Sequence, residues 1–235
     1  MLSPYDWQES ITQRAQYIEN RLRSGSPIVG LSIDEGCILY TYRKNVRKVY
    51  EVYDRVMFSA IGQQADVESM RVTSIDFAHQ EGYAHSEEDV TIGRLVGFAL
   101  SGPMKRAFGD LTIAPFVIHA LFTEMNAKPD EDLFIWLHYD GDFVAHRHFA
   151  VAGGTGPVEQ RMRDYLSEKY DPKMKFDEAI RLADAAWRIG ADRDGNGQPD
   201  DELFRGAYPE IGFLERNVDR VRRFRLIQEE AKRFP

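Results

Sequence analysis

An α+β fold of two antiparallel sheets flanked by helices is what this 235-residue sequence predicts. Three observations carry the prediction. Short strand-like apolar runs come in clusters and do not alternate one-for-one with helices, which argues against a doubly wound parallel sheet. Tight dipeptides, Asp54-Arg55 and Asp140-Gly141, join neighbouring runs as hairpins. Hydrophobic residues make up 43% of the chain, enough for a full core within one domain spanning 1–235.

The elements follow in order. Trp7, Ile11, Ala15, Ile18 and Leu22 recur at three- and four-residue steps and predict a helix over 4–24. Gly25 suits its C-cap and Pro27 stops it. The period then changes. Runs at 28–33 and 37–42 flank the turn 34–36, and runs at 46–53 and 56–61 form a second strand pair that Gly62 ends. Helices are predicted over 64–80 and 90–108, the second interrupted by Gly102-Pro103, with a third, shorter one over 115–126. Strands return at 132–139 and 142–151. Gly153 to Gly156 opens a helix to about Tyr170, and another covers 175–189. An acidic loop fills 190–208, then a strand at 211–215 leads to a basic C-terminal segment.

Composition excludes several function classes. A formal net charge of -8 makes nucleic acid an unsuitable partner, since phosphate binding needs a concentrated positive surface. The basic stretch over 216–225, RNVDRVRRFR, is read as a solvated helix face, its alternative being pairing with acids of this chain or a neighbour. No apolar run approaches the roughly 18 residues of a membrane span. MLSPYDWQES lacks a basic region followed by an apolar stretch, so no secretory signal is expected. With the single cysteine, Cys37, no intrachain disulfide forms and a cytoplasmic home is the default; Cys37 is expected as a buried thiol.

Several segments, in their order and spacing, resemble proteasome subunits. They are SPIVGL at 26–31, GCIL at 36–39, Lys48-Val49, YDRVMFSAIG at 53–62, DFAHQEGY at 76–83, Asp89-Val90 and HFAVAGG at 148–154. IGFLERNVDRVRRFR at 211–225 resembles the tail of actinobacterial alpha-type subunits, and the likeness covers nearly the whole chain. The resemblance implies a four-layer αββα sandwich. It also implies a seven-membered homo-oligomeric ring that caps rings of catalytic beta subunits, gates the entry of unfolded protein substrates and docks ring-shaped ATPases or other activators by their C-terminal tails. The leading helix is what marks an alpha type, residues 1–25 forming the gate and ring helix.

The catalytic logic of that fold needs a hydroxyl residue at a freed N-terminus, whose α-amine acts as base beside a lysine. Ser26 falls at the nucleophile position behind Gly25, and Lys48 at the lysine position. The acidic position falls on Tyr42, Pro27 follows Ser26, and a patterned helix stands where a disposable leader would be. The resemblance therefore implies a non-catalytic subunit, and a self-processing serine hydrolase using Ser26 and Lys48 is the alternative. A homo-oligomeric relative without a beta partner is a third reading. In alpha subunits the lysine at the Lys48 position lines a pocket for an activator's C-terminal carboxylate; Gly25, Ser26 and Gln63 match other positions of that pocket. A plain surface lysine is the competing reading of Lys48.

Other constellations carry less. Asp192, Asp194, Asn196 and Asp200 resemble a calcium loop with glycine at the sixth place, but Leu203 stands at the twelfth, where a bidentate Glu is needed. A solvated acidic turn is the alternative. His146 and His148 would share one face of a strand as a metal pair, against structural histidines. Gly153 to Gly156 lacks a P-loop lysine and full dinucleotide spacing, so it is read as a turn and helix cap. No cofactor is expected.

Overall fold

The computed structural model describes residues 4–218 and 222–228. Helix α1 (Pro4–Leu22) precedes the hairpin β1 (Ile28–Ile33) and β2 (Gly36–Arg43), then β3 (Val49–Tyr53) and β4 (Val56–Gly62). Next come α2 (Gln64–Ala84), α3 (Ile92–Arg94), a π-helical stretch Leu95–Leu100 and α4 (Ser101–Gly109). Strands β5 (Ile118–Glu124), β6 (Leu133–Leu137), β7 (Phe143–His146) and β8 (Phe149–Ala152) follow. The chain continues through α5 (Gly156–Lys169), α6 (Phe176–Ala191), the short α7 (Asp201–Phe204), β9 (Tyr208–Glu215) and β10 (Phe224–Gln228).

The strands form two five-stranded antiparallel sheets, ordered β10-β9-β2-β1-β8 and β3-β4-β5-β6-β7. Alternation along β1 explains the layering. Val29, Leu31 and Ile33 pack outward against Met162, Leu166, Ala183 and Trp187 of α5 and α6. Ile28 faces inward, with Leu39, Leu121, Phe134 and Leu214, between the sheets. Phe58, Phe122 and Ile135 turn to the other outer face, beneath α2 and the helical run after it. Burial of both faces of both sheets is the main stabilising term, at about 25 cal/mol per Å² of apolar surface. Gly30 of β1 faces Phe134 of β6 across the two sheets. A Cβ there would stand 2.8 Å from the Phe134 ring.

Three expectations need correction. Residues 115–126 are not a helix: 118–124 form β5, the middle strand of the second sheet, paired with β4 and β6. Every residue of β5 is buried, so its sequence shows no alternation from which to read a strand. The run 142–151 is not one strand. It divides at Arg147-His148, where His148 has φ 68°; β7 stays with β6, and β8 crosses to pair with β1. His146 and His148 therefore do not share a strand face. The basic segment, of which 219–221 lie outside the described residues, is not a helix face at 216–218 or 222–225 either. It enters β10, with Arg222 paired to Glu51, Arg223 to Asp54 and Arg225 to Glu215. Arg216 lies buried on Asp132 with a closest N–O distance of 2.6 Å. Opposite charge inside the chain absorbs these cations.

Cys37 is buried, and burial beside Asp132 pushes its thiol well above the ordinary range. Among the described residues no helix is long and apolar enough to cross a membrane.

Candidate functional site

The junction of α1 and β1 builds the site. Leu22 is the last residue of α1, and its carbonyl accepts the Gly25 N–H at 2.8 Å, turning the chain sharply into β1. Gly25 is required there, because a Cβ would lie 1.9 Å from Ile61 Cγ2. Beside this turn a recess of about 410 Å³ opens between 24–26, the loop 43–48, the end of β4, and Leu203 and Ala207.

Its charge is one-sided. Arg43, Lys44, Arg47 and Lys48 line it, and among the described residues no Asp or Glu does. On a chain of net charge -8 this is a local positive spot. Lys48 is partly buried, and its Nζ donates to the Ser26 carbonyl at 3.1 Å. Of its three N–H donors, that bond uses one. Desolvation pulls its pKa down to about 8, partly offset by the Glu210 carboxylate.

Glu210 is fully buried behind the loop and fixes it. Its Oε2 accepts the backbone N–H of Lys48 at 2.7 Å and of Val49 at 3.1 Å, and Arg43 Nε lies 3.3 Å from Oε1. Burial pushes the Glu210 pKa up, against those amide bonds and the two arginines. Arg47 donates to the Val49 carbonyl at 2.7 Å and lies against the Tyr50 ring. Lys44 is exposed and has no hydrogen-bond or ion-pair partner among the described residues.

The Ser26 hydroxyl is engaged on several sides. It donates to the Tyr42 carbonyl at 2.9 Å, accepts from Trp187 Nε1 at 3.2 Å and lies 3.2 Å from Thr41 Oγ1. Tyr42 stacks on Trp187 at 4.1 Å between ring centroids. The Tyr42 hydroxyl donates to Asp184 at 2.9 Å, and Tyr40 donates to the same oxygen at 2.8 Å. Burial, reinforced by Asp184, raises the pKa of both phenols.

Gly25, Ser26 and Lys48 thus come together in the recess. Gln63 does not line it; the neighbouring Gln64 does. Gln63 caps α2, and its backbone N–H donates to the Val117 carbonyl at 2.9 Å. In the acidic loop, Asp192 accepts the N–H groups of Asn196 at 3.1 Å and Gly197 at 2.8 Å. The Asn196 side chain accepts the Gln198 N–H, and Asp200 pairs with Arg193 at 2.6 Å. Asp194 is exposed. Among the described residues no three His, Cys, Asp or Glu side chains gather to hold a metal ion. Sequence reasoning missed Glu210, Trp187 and Asp184. The cations of 43–48 stand together in the sequence but that run was not singled out, and the remote residues that hold them carry no local signal.

Two sheets between two helical layers, with a serine and a lysine brought together at the head of β1, define the class: a protein of N-terminal nucleophile hydrolase architecture. A family model described as proteasome subunit matches residues 23–202. The proteasome subunit alpha of Actinosynnema mirum is 30% identical, over 95% of this chain and 83% of that protein. That of Acidothermus cellulolyticus is 31% identical over 75% of this chain and 74% of its own length. That of Thermobifida fusca is 26% identical over 95% and 85%. The chain belongs to the proteasome subunit family, and is of the alpha type.

Proposed function

We propose that this chain is a non-catalytic subunit of the outer ring of a 20S proteasome core particle, and that it gates substrate entry and docks activators in the recess at Lys48. The observation that carries the docking reading is the recess itself: four lining cations, of which Arg43 is paired with the buried Glu210 behind the loop, and an ammonium with donors to spare. A peptide's terminal carboxylate fits such a site, because a charge-assisted hydrogen bond gains strength where water is partly excluded. Ring-shaped ATPases or other activators with free C-terminal tails are the corresponding partners.

Other features support the ring and gate. The α1 helix stands intact ahead of Ser26 and leaves Tyr5, Trp7 and Tyr17 exposed for a neighbouring copy. A seven-membered ring stacked on beta subunits in the cytoplasm, passing unfolded proteins, is the assembly we infer. The bonds of the Ser26 hydroxyl to Tyr42 and Trp187, and the tyrosine at the acidic position, weigh against Ser26 as a nucleophile.

Replacing Lys48 with Ala tests the proposal. In particles assembled with beta subunits, K48A is expected to lose activator-stimulated peptide turnover at least tenfold while the ring persists by native mass spectrometry. Undiminished stimulation would remove Lys48 from docking. The self-processing alternative rests on the closeness of Ser26 and Lys48, and intact mass decides it: a chain short of its first 25 residues would make Ser26 the nucleophile.

A further inference from the structure

The α1 helix is seated unevenly. Ile18 and Leu22 are fully buried near its end, whereas Tyr5 to Glu9 are exposed. Between these halves lies Arg14, whose guanidinium meets four backbone carbonyls. Its Nη1 donates to Ala107 at 2.8 Å, Phe108 at 3.1 Å and Asp110 at 3.0 Å, and Nη2 donates to Ile113 at 2.7 Å. The first two belong to the last turn of α4, whose carbonyls have no partner within the helix and carry its negative end. The planar fork of arginine suits this arrangement in a way a point cation does not.

We propose that Arg14 is the positioning residue of α1, a latch that fixes the helix's direction by closing the carbonyl end of α4 and the loop behind it. The cradle is itself held in shape. The Asp110 carboxylate accepts the Thr112 N–H at 2.9 Å and its hydroxyl at 2.7 Å, which brings the Asp110 and Ile113 carbonyls round to the guanidinium. The loop then runs into Val117, whose carbonyl accepts the Gln63 N–H next to the recess. At its other end α1 enters the recess directly through Gly25. The latch and the recess thus hold the same helix at two points. Nearer the end of α1, Glu19 makes a further tie to the body of the chain, accepting from the Tyr139 hydroxyl at 3.1 Å.

The latch has a consequence that rests on the gating reading. A helix held in one direction fixes where its exposed first turns, Tyr5 to Glu9, stand, so releasing Arg14 loosens them and raises unstimulated passage. Lysine at this position cannot span the carbonyls of Ala107 and Ile113 together, so it restores part of the effect.

Amide hydrogen exchange on the full-length chain tests the latch without reference to a gate. Arg14→Ala is expected to raise exchange over residues 5–17 about tenfold or more, Arg14→Lys less, with β1 and β2 unchanged. Unchanged exchange over 5–17 in R14A overturns the proposal. Should R14A fail to fold, Asp110→Ala loosens the cradle while keeping Arg14, and no rise in exchange over 5–17 in D110A equally overturns it. Turnover of a short peptide by particles carrying R14A separates the two readings. Raised exchange with raised turnover supports both; raised exchange with flat turnover leaves the latch standing and sinks the gate.

Discussion

Replacing Glu210 with Ala tests how the recess is built. The side chain is fully buried and has three jobs: it takes the Lys48 and Val49 N–H groups at 2.7 and 3.1 Å and faces Arg43 at 3.3 Å. Truncation leaves two inward amides without an acceptor, at about 1–3 kcal/mol each. Arg43 loses its counter-ion but retains some exposure, so water recovers part of that loss. The expected total is about 3–5 kcal/mol, a large share of the roughly 5–15 kcal/mol that holds a folded domain together. Glu210→Gln keeps an acceptor oxygen for the amides and should lose only about 1–2 kcal/mol. Urea unfolding at one fixed protein concentration measures both, since assembly would otherwise contribute to apparent stability. A loss below about 1 kcal/mol in E210A, or equal losses in the two variants, would refute the assignment of Glu210 as the acceptor that fixes the loop.

Two further outcomes follow from the same corner of the molecule. Lys48 has its pKa drawn down to about 8, so the native chain gives up this proton at lower pH than the unfolded chain does. Stability from this site therefore rises as pH climbs above about 8. Binding of a peptide carboxylate runs the other way, weakening across the same range as the ammonium is lost; fluorescence anisotropy of a labelled tail peptide between pH 6.5 and 9.5 reads it, and a flat profile would mean that Lys48 does not hold the carboxylate. Gly25→Ala forces a methyl into Ile61, 1.9 Å away in the present geometry. A loss of about 1–3 kcal/mol in the same urea assay is expected, and wild-type stability would show that the turn opens freely.

Much of the fold was legible because hairpin signals are local. Asp54-Arg55 and Asp140-Gly141 each mark a reversal, and the stripe Ile11, Ala15, Ile18, Leu22 states which side of α1 meets the body. β5 was not legible, because a strand covered on both sides loses its alternation, and the IHALFTE run satisfies a helical period as readily. The break at His148 was also hidden: a change of sheet is dictated by what lies above and below the chain, not by the residues that make the turn. In the site, Ser26 and Lys48 were legible only through the resemblance to proteasome subunits, and the loop cations, though adjacent in sequence, were not singled out. Glu210 and Trp187 were not, for each lies 161 or more positions from its partner in the recess, and only the folded sheet brings them near. Gln63 lay one residue away from the side chain that lines the recess.

The corner at Arg147-His148 bears on mechanics. Two stacked sheets joined only by side-chain packing can slip past one another under load. Here β7 and β8 are consecutive pieces of one chain, one in each sheet, with only two residues between them. Sliding at that border would have to stretch covalent bonds, so the sandwich is stitched along one side as a book is along its spine. Across the opposite border Arg222 and Arg223 reach from the β10 side to Glu51 and Asp54 on the β3 side, as clasps that water can undo. The loop 44–48 from β2 to β3 is a second, longer tether between the sheets, so shear should open the β3–β10 border first and only as far as those five residues allow, with the tighter β7–β8 border as the hinge.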